Sequence, residues 1–402
     1  MLENSIIQTL QQLFPPETHH RLFLVGGTVR DTLLAQQRKD IDLLVALPDE
    51  QLAACGFRYV TSKSTVPIWF RTHPRLGSIE ATQLADPSEV DAELTRRDFT
   101  VNAMAFSLNG QLHDPLNGRS DLDKRQLAVC SDNCFNDDPL RIFRALRFEA
   151  DGWRLSRHSE SLITAQDWSV PLAGIPVERF SRELLKALTG EDPTRFFSRL
   201  LQLTIGCHWL TELFAMPQVP AGPTEHHPEG DLFSHSLHVL QRMTKLSPDP
   251  LARFCALFHD LGKLKTDPMA YPQHHGHDQA GVTPAKDLCN RLRLPARYRT
   301  ALSAVNRLHT TMNRWDELRE ATRLRLAEQA RKNRIEEILP LVSQADKPGC
   351  VAPATWELTL KASRLPIRDL GLHQETLDAL PPEARSSLIF DRRIGVLRMA
   401  VR

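Results

Sequence analysis

The 402-residue sequence has no run of about 18 apolar residues, so it offers no candidate for a membrane-spanning helix. Its N-terminus, MLENSIIQTLQQLFPPETHH, lacks both a basic segment and a long apolar core, which argues against a signal peptide. Fixed-period repeats and low-complexity tracts are also missing. The net charge of +1 gives no general attraction to nucleic acid or membrane, although a local basic stripe stays compatible with it. We therefore expect a cytoplasmic protein without a membrane partner.

Paired cysteines are missing as well. The seven cysteines, Cys350 among them, are odd in number and scattered, and they contain no Cys-x-x-Cys pair. This pattern indicates reduced thiols and gives no signal of a zinc ribbon. Hydrophobic residues make up 41% and charged residues 25% of the chain, which is ordinary for a globular protein. The length predicts two to four domains.

The N-terminal part of the chain carries strand signals. Short apolar runs bounded by turn or charged residues predict strands over residues 22–26 and 41–47. The sequence TVRDTLLAQQ between them predicts a helix that follows a Gly-Gly turn. Residues 101–108 and 111–113 are expected to pair across Asn109-Gly110, because that dipeptide favours a tight hairpin turn. These signals predict a head that contains both helices and a sheet.

The remainder of the chain has helical patterning. After about residue 136 the strand signals fade, and apolar residues recur at spacings of three and four. A stretch rich in proline and glycine, AMPQVPAGPTEHHPEG, indicates a linker over 215–230. We therefore predict an α+β protein with four segments: a mixed-sheet head (1–136), a helical neck (137–214), a helical domain (215–330) and a helical tail (331–402).

A first group of polar residues surrounds the first two predicted strands. Gly26 and Gly27 follow the first strand, where glycines let backbone N–H groups approach a phosphate, and Arg30 lies one turn further as a phosphate clamp. Asp40 and Asp42 open the next strand, and strand alternation directs both carboxylates to one face. Close carboxylates repel each other unless a cation such as Mg²⁺ lies between them. We expect two Mg²⁺ ions there, since such a pair supports transfer of a phosphoryl-linked group.

A second group begins with RRDFTVNAMAF, which we expect to enter a strand. Adjacent arginines on an extended segment point to opposite faces, so only one of them reaches a given nucleotide. We assign Arg97 to the triphosphate or ribose and Asp98 to its orientation, and we expect Arg96 to be solvated. Glu80, in SIEATQL, is a third candidate carboxylate near the metal; the alternative is a plain surface acid.

Arginines then recur every three residues along one predicted helix. Arg141, Arg144 and Arg147 share a face, and Asp138 lies three residues before the first of them. A rigidly held Asp and Arg offer an acceptor and donors to a nucleobase edge, and this pattern suits C and A better than G and U. The alternative is an arginine-rich face that is simply solvated.

The sequences GGTVRD, DID and RRDFTVNAMAF resemble motifs of the bacterial class II tRNA nucleotidyltransferases, in a branch of the polymerase β-like superfamily that also includes bacterial poly(A) polymerases. The resemblance implies an enzyme that adds nucleotides from CTP and ATP to the tRNA 3′ end without a nucleic-acid template. It implies that Asp40 and Asp42 are catalytic and bind Mg²⁺. It also implies that Asp137 stands where the family's base-reading motif carries Glu. The nucleotide-binding residues it implies are Gly26, Gly27, Arg30, Arg97, Asp98, Asn102, Asp138, Arg141, Arg144 and Arg147.

Further on, FSHSLHVLQRM, LARFCALFHDLGKLK and YPQHHGHDQAG resemble an HD phosphohydrolase domain. The resemblance implies a second divalent-metal site at His235, His259 and Asp260 with His275, while His274 and His277 are alternatives to His275. It also implies metal-dependent phosphatase and 2′,3′-cyclic phosphodiesterase activity. Where relatives carry a later His-Asp pair, this chain reads His309-Thr310, and Asp346 is a distant candidate for the closing acid. An inactive domain retained for its structure is therefore the alternative.

Two further features bear on the product and on RNA binding. Full CCA-adding relatives carry a flexible loop, rich in glycine and basic residues, where residues 85–95 of this chain are short, acidic and free of glycine. This favours CC addition, with the terminal A left to a separate nucleotidyltransferase. The alternatives are full CCA addition, a poly(A) polymerase, and an HD phosphohydrolase whose head only binds nucleotide or RNA. Residues 291–334 carry twelve Arg or Lys against four acids, which suits the phosphate backbone of tRNA or, alternatively, a solvated helix face.

Overall fold

The computed structural model of the chain describes residues 2–36, 40–60, 68–347 and 353–401, and Cys350 lies outside them. The chain separates into two compact units, Met1–Leu172 and Ala173–Arg402. The first unit contains a mixed sheet with helices, and the second is helical throughout its described residues. The expectation of an α+β protein with a mixed-sheet head and a helical body is confirmed.

Short apolar segments form the strands of the first unit. The first strand, LFLV, is buried along its whole length, as expected of a strand in the middle of a sheet. The strands are β1 Leu22–Val25, β2 Asp40–Val45, β3 Arg58–Val60, β4 Ile68–His73, β5 Gly77–Gln83, β6 Ala105–Ser107, β7 Leu112–His113, β8 Gln126–Leu127 and β9 Arg154–Leu155.

Within the described residues, seven of these strands form one sheet in the order β3-β4-β5-β2-β1-β6-β7. Strands β2 and β5 run parallel, with Asp42 beside Glu80, and the other neighbours are antiparallel. The predicted pairing across Asn109-Gly110 is confirmed, with Phe106 opposite Leu112. The strand before it is shorter than predicted, because Thr100–Asn102 form a 3₁₀ turn. Strands β8 and β9 form a separate parallel pair.

Helices cover this sheet and extend beyond it. They are α1 Leu2–Gln11, α2 Gly27–Leu33, α3 Asp49–Ala54, α4 Val90–Thr95, α5 Gly118–Asp123, α6 Cys134–Asp137, α7 Leu140–Ala150, α8 Arg157–Thr164 and α9 Ser169–Ala173. The acidic connector over 85–95 is folded, because Pro87–Glu89 form a 3₁₀ turn that leads into α4. Val90 and Leu94 of α4 pack into a core cluster with Phe23 and Leu44.

The second unit is built from helices α10 Val177–Ala187, α11 Pro193–Leu203, α12 Thr211–Ala215, α13 Leu232–Leu246, α14 Pro250–Leu257, α15 His277–Ala280, α16 Val282–Arg291, α17 Ala296–Asn313, α18 Glu320–Lys332, α19 Ile338–Asp346, α20 Trp356–Arg364, α21 Gln374–Asp378 and α22 Pro382–Val401. Short 3₁₀ segments occur as well, including Leu261–Lys265 after α14. Helices α13, α14, α17 and α19 pack against one another and form the centre of this unit. A second cluster forms where α18, α20 and α22 meet, around Leu324 and Leu397.

Capping residues fix where the central helices begin. Asp231 caps α13, because its carboxylate accepts hydrogen bonds from the backbone N–H and the hydroxyl of Ser234 at 2.9 and 2.8 Å. Asp249 caps α14 ahead of Pro250, a favourable first helical residue. The stretch 215–230, expected to be a linker, is folded: it contains a 3₁₀ turn, and Pro220 pairs with Asp231 in a β-bridge.

Candidate active site and metal cluster

The end of β1 brings together a glycine, an acid and an arginine. Gly26 has a φ of +73°, and a Cβ atom on it would lie 2.7 Å from Arg97 Nη1 and 3.3 Å from Asp42 Oδ2. A side chain at this position would therefore be strained and would also collide with Arg97. Three of the residues expected at a nucleotide site are thus neighbours, although they come from distant parts of the sequence.

Carboxylates line the adjacent strands. Asp42 is exposed on β2 and lies beside Glu80, which is exposed on the parallel strand β5. Asp40 begins β2 two residues earlier, and its side chain lies outside the described part of the structure. Oxygen ligands on a solvent-accessible face are what a hard cation such as Mg²⁺ requires, so the donor set at this edge fits the ion.

Arg97 is partly buried at this site, close to two carboxylates. Burial lowers the pKa of its guanidinium, and the nearby Asp42 and Asp98 carboxylates act against that shift. Within the described residues its Nε is buried without a hydrogen-bond partner. The expected extended conformation is wrong: Arg96 terminates α4, and Arg97 follows it in a turn. Arg96 is nevertheless largely exposed, with 76% of its side-chain surface accessible.

A buried hydrogen-bond network surrounds Asp98, the residue that follows Arg97 in the chain. Asp98 accepts hydrogen bonds from Arg144 Nε at 2.8 Å and from Asn102 Nδ2 at 2.9 Å. Asn102 Oδ1 in turn accepts from Arg30 Nη1 at 2.6 Å, and Arg30 also pairs with Asp31. Burial would raise the pKa of Asp98, but the Arg144 cation and the Asn102 hydrogen bond hold it below its usual value. This network connects α2 to α7.

The positions in this network differ from the sequence-based expectation for Arg30 and Arg144. Arg30 was expected as a phosphate clamp, yet its side chain is 5% exposed and donates to protein acceptors. Arg144 was expected to contact nucleotide, yet its guanidinium is engaged with Asp98. In the described structure both residues therefore contribute to the framework of the site.

The other residues of the predicted arginine face have separate environments. Arg141 donates to the backbone oxygen of Arg96 at 2.9 Å, so it ties α7 to the end of α4. Arg147 lies over the ring of Phe148, with its guanidinium 4.4 Å from the ring centroid. Asp138 accepts a hydrogen bond from the backbone N–H of Leu140 at 3.2 Å. All four charged residues of this face are half-buried rather than fully solvated.

A second polar cluster occupies the centre of the helical unit. His235 Nε2 lies 3.2 Å from Asp346 Oδ1, and His259 Nε2 lies 3.2 Å from Asp260 Oδ2. His259 Nε2 is also 3.6 Å from Asp346 Oδ1, and His235 Nε2 is 3.7 Å from Asp260 Oδ2. These two imidazoles and two carboxylates come from α13, the segment after α14, and the end of α19. Such a compact mixture of nitrogen and oxygen donors is typical of divalent-metal sites.

Several atoms of this cluster lack a partner with hydrogen-bond geometry among the described residues, which also supports a divalent-metal site. Within the described residues, Nε2 of His235, Nε2 of His259 and Oδ1 of Asp260 are buried without a hydrogen-bond partner. Burial would lower the pKa of His259, but the Asp260 and Asp346 carboxylates raise it to about 10. The His259 cation in turn helps to hold both acidic pKa values well below the usual range. The donors therefore fit a cation at their centre.

Three further side chains contact Asp260. Lys263 Nζ lies 2.7 Å from Oδ2, and His277 and His309 place Nε2 at 3.3 and 3.1 Å from Oδ1. His309 is therefore part of the cluster, although the residue after it is Thr310 rather than an acid.

Two expectations for the HD-like site need revision. Asp346, which seemed distant in sequence, lies among the cluster because α19 packs on α13 and α14. His275 is exposed and belongs to none of the candidate metal-binding groups among the described residues. The neighbouring His274 instead has hydrogen-bond contacts to Pro220 O and Thr266 Oγ1.

One residue of this region was missed by sequence reasoning. Glu229 Oε1 accepts hydrogen bonds from Nδ1 of His235 at 2.6 Å and Nδ1 of His227 at 3.2 Å. The signal that could have identified Glu229 is a histidine–proline–acid sequence close before a metal-binding histidine. We interpreted that stretch only by its proline and glycine content.

Comparisons with known proteins agree with both halves of this description. The HD domain family matches residues 232–347, and the poly A polymerase head domain family matches residues 69–128. A "Multifunctional CCA protein" of Legionella pneumophila (strain Lens) is 33% identical over 362 residues, covering 84% of this chain and 87% of the relative. One of Pseudoalteromonas atlantica is 34% identical over 321 residues, covering 75% of this chain and 78% of the relative.

Solved structures with the same fold include a CCA-adding enzyme in complex with CTP, at a TM-score of 0.65 and 18% identity over 98% of this chain and 94% of that one. Another is a Thermotoga maritima CCA-adding enzyme complexed with tRNA, at a TM-score of 0.60 and 19% identity over 99% and 95%. Fold and site together define a nucleotidyltransferase that carries an HD domain. The chain belongs to the class II tRNA nucleotidyltransferases with an HD domain, the family of the multifunctional CCA proteins. No helix in the described parts of the chain could cross a membrane.

Proposed function

We propose that this chain adds cytidylate residues from CTP to the 3′ end of tRNA that lacks its CCA terminus, and that it stops after the second C. The observation that supports nucleotidyl transfer is the meeting of Gly26, Asp42 and Arg97 at the end of β1, beside Glu80. The family relationship supports tRNA as the acceptor.

In the proposed mechanism, Asp40 and Asp42 would hold two Mg²⁺ ions, and Glu80 is a further candidate ligand. When bound, such ions lower the pKa of an attacking hydroxyl and stabilise charge on the leaving oxygen. Arg97 binds the triphosphate with its half-buried guanidinium, which the absence of a side chain at Gly26 accommodates, and the backbone N–H groups of Gly26 and Gly27 approach the phosphates. The tRNA 3′-oxygen attacks the α-phosphorus of CTP and pyrophosphate leaves, so one P–O bond forms as another breaks.

Base selection is assigned to the start of α7. Asp138, in extended backbone just before α7, offers an acceptor, and Arg141, in the first turn of α7, offers donors. The Asp98 network holds Arg144 behind them and limits how far this face can move. A fixed face of this kind supports selection of one base edge.

The restriction to CC addition rests on α4. In this chain the short acidic segment that stands where relatives carry a flexible loop contains a helix, α4, whose Val90 and Leu94 are buried in the core of the head. If α4 left the core between the second and third additions, the side chains of Val90 and Leu94 would be exposed to water, which is unfavourable. The alternative, full CCA addition, requires another segment to change the pocket.

The experiment is gel-resolved extension of tRNA lacking its 3′ CCA, with CTP alone, ATP alone and both. With both nucleotides we expect a product two residues longer than the substrate. A product three residues longer would contradict the CC restriction, and a long ladder with ATP alone would indicate a poly(A) polymerase.

Asp42→Asn should lower the rate by about a thousandfold, since it removes a charged metal ligand. Asp123→Asn, an exposed acid on α5, is the matched control and should retain full activity.

A second activity is supported by the cluster in the helical unit. We propose that His235, His259, Asp260 and Asp346 bind a divalent metal and that this site hydrolyses phosphate esters, including 2′,3′-cyclic phosphates. Lys263 and His277 lie beside Asp260; because Lys263 Nζ already donates to Ala221 O, His277 is the candidate for contacting a phosphate. The test measures release of phosphate from a phosphate ester and ring opening of a cyclic nucleotide. We expect both reactions in the wild type and neither in His259→Ala. Absence of hydrolysis with each of Mg²⁺, Mn²⁺, Co²⁺ and Ni²⁺ would contradict it.

A further inference from the structure

The segment between α12 and α13 forms a closed loop, which we call the strap (residues 219–230). Its base is fixed by the backbone: Ala221 N–H donates to Gly230 O at 2.9 Å, and Leu232 N–H donates to Val219 O at 2.8 Å. The strap therefore enters and leaves at one point, directly before the helix that carries His235.

Two carbonyl groups of the strap contact residues around the metal cluster. Lys263 Nζ donates to Ala221 O at 2.6 Å while it also pairs with Asp260. His274 Nε2 lies 2.8 Å from Pro220 O. The strap therefore fixes the side chains of Lys263 and His274 by hydrogen-bond contacts, which an unstructured linker would not make.

The side chain of Glu229 makes the most specific of these contacts. One carboxylate oxygen accepts from Nδ1 of His235 and from Nδ1 of His227, so both rings carry their proton on Nδ1. In neutral His235 the lone pair is then on Nε2, the atom that lies 3.2 Å from Asp346 and has no hydrogen-bond partner among the described residues. An Nε2 lone pair directed toward the carboxylates is what metal ligation requires.

The surroundings hold Glu229 in this orientation. Its side chain is 11% exposed, and the rings of His227 and His235 pack edge to face with centroids 4.8 Å apart. Gly222 leaves space for His227, because a Cβ atom there would lie 2.4 Å from the imidazole Cδ2. The second histidine, His227, therefore braces the carboxylate through this hydrogen bond and ring contact.

We propose that Glu229 is a positioning residue for the metal site, which fixes the tautomer and ring orientation of His235, and that His227 braces Glu229. This inference rests on the metal site proposed above. It assigns a role to a stretch whose composition suggests only a connector. Outer-sphere partners of this type typically change metal affinity by roughly 10- to 100-fold.

The test is titration of the full-length chain with Co²⁺, followed by its visible absorption bands, in the wild type and in variants. His259→Ala defines the absorbance that does not arise from this site. Glu229→Ala should lower the His259-dependent affinity by roughly 10- to 100-fold and shift the bands. Glu229→Gln should give an intermediate affinity, because an amide oxygen still accepts but carries no charge. Glu225 is an exposed acid on the same strap, so Glu225→Ala and Glu225→Gln are matched controls. Their Co²⁺ affinity should equal that of the wild type.

The outcomes separate the two proposals. A wild-type chain without a His259-dependent Co²⁺ signal would overturn the metal site itself. A wild-type signal that is unchanged in Glu229→Gln and Glu229→Ala would overturn only the positioning role. If Glu229→Ala does not fold, the comparison of Glu229→Gln with wild type and with Glu225→Gln decides the question. Cytidylate addition by the same preparations, expected to be unchanged, reports that the head is intact.

Discussion

Asp98 is the central acceptor of the hydrogen-bond network in the head. It is buried, and it is charged because Arg144 and Asn102 surround it with donors. A carboxylate in this position stabilises the fold only while its partners remain. Arg97, the adjacent residue, is in turn held where it faces Asp42.

We predict that Arg144→Met lowers the free energy of unfolding by about 2 kcal/mol and raises the KM for CTP, because Asp98 loses its cationic partner. The folded-state pKa of Asp98 lies below its usual value. The pair therefore stabilises the head above the ordinary Asp pKa, and this contribution is lost as the pH falls through the lowered value. Urea unfolding across acidic pH, together with CTP kinetics, measures both effects. Arg119→Met, at an exposed arginine of α5 that pairs with Asp123, is the comparison, and equal losses in both variants would contradict the prediction.

Single residues also mark the limits of what the sequence predicts. Spacing alone indicates that Asp42 belongs to a metal-binding edge, since the Asp-x-Asp pattern on a strand is local. It does not reveal that Arg30 and Arg144 bind protein acceptors, because those acceptors lie on other elements. Glu229 and Asp346 were missed or undervalued for the same reason: helix packing, which periodicity does not specify, brings them to His235.

At the scale of elements, α4 has the most consequence for function. Its six residues carry two buried side chains, Val90 and Leu94, on a helix that is otherwise polar. This pattern explains why an acidic stretch without glycine is ordered. Composition alone predicted a connector. The packing of Val90 and Leu94 makes α4 part of the core instead.

We predict that Leu94→Ala lowers the free energy of unfolding by about 3 kcal/mol, the cost of removing a fully buried leucine and leaving a cavity. In the same variant the loosened α4 should allow some addition of a third nucleotide when both CTP and ATP are present. Leu112→Ala, at an exposed leucine on the edge strand β7, is the control and should change stability by less than about 1 kcal/mol. Denaturant unfolding and product length are the measurements. A destabilised Leu94→Ala that still stops at CC would show that α4 does not set the product.

Across the whole molecule, the two proposed chemistries lie on different compact units, each with its own core. The strands at the start and the helices at the end were predictable, because period-two and period-3.6 patterns are local. The expected division into head, neck, HD-like domain and tail stays a prediction. The described contacts group the chain into two units, because tertiary contacts such as Arg144 to Asp98 bind the first neck helix into the head unit.

We predict that variants of the two sites act independently. His259→Ala should abolish divalent-dependent hydrolysis and leave cytidylate addition within about twofold, since independent sites without shared partners are additive. Asp42→Asn should have the reverse effect. Both activities measured on each purified variant provide the check, and loss of both in either variant would contradict independence.

The division of the chain at Leu172 also has a consequence for biosynthesis. The head unit is continuous in sequence, so all of its strands have left the ribosome while the second unit is still being made. At about 5–20 residues per second, translation of the rest takes at least about ten seconds, far longer than most small domains need to fold. The metal cluster is different, because it needs both His235 and Asp346, and Asp346 is made only after most of the second unit has been translated. Nascent chains are therefore expected to have a finished nucleotidyltransferase head well before they can capture a metal ion.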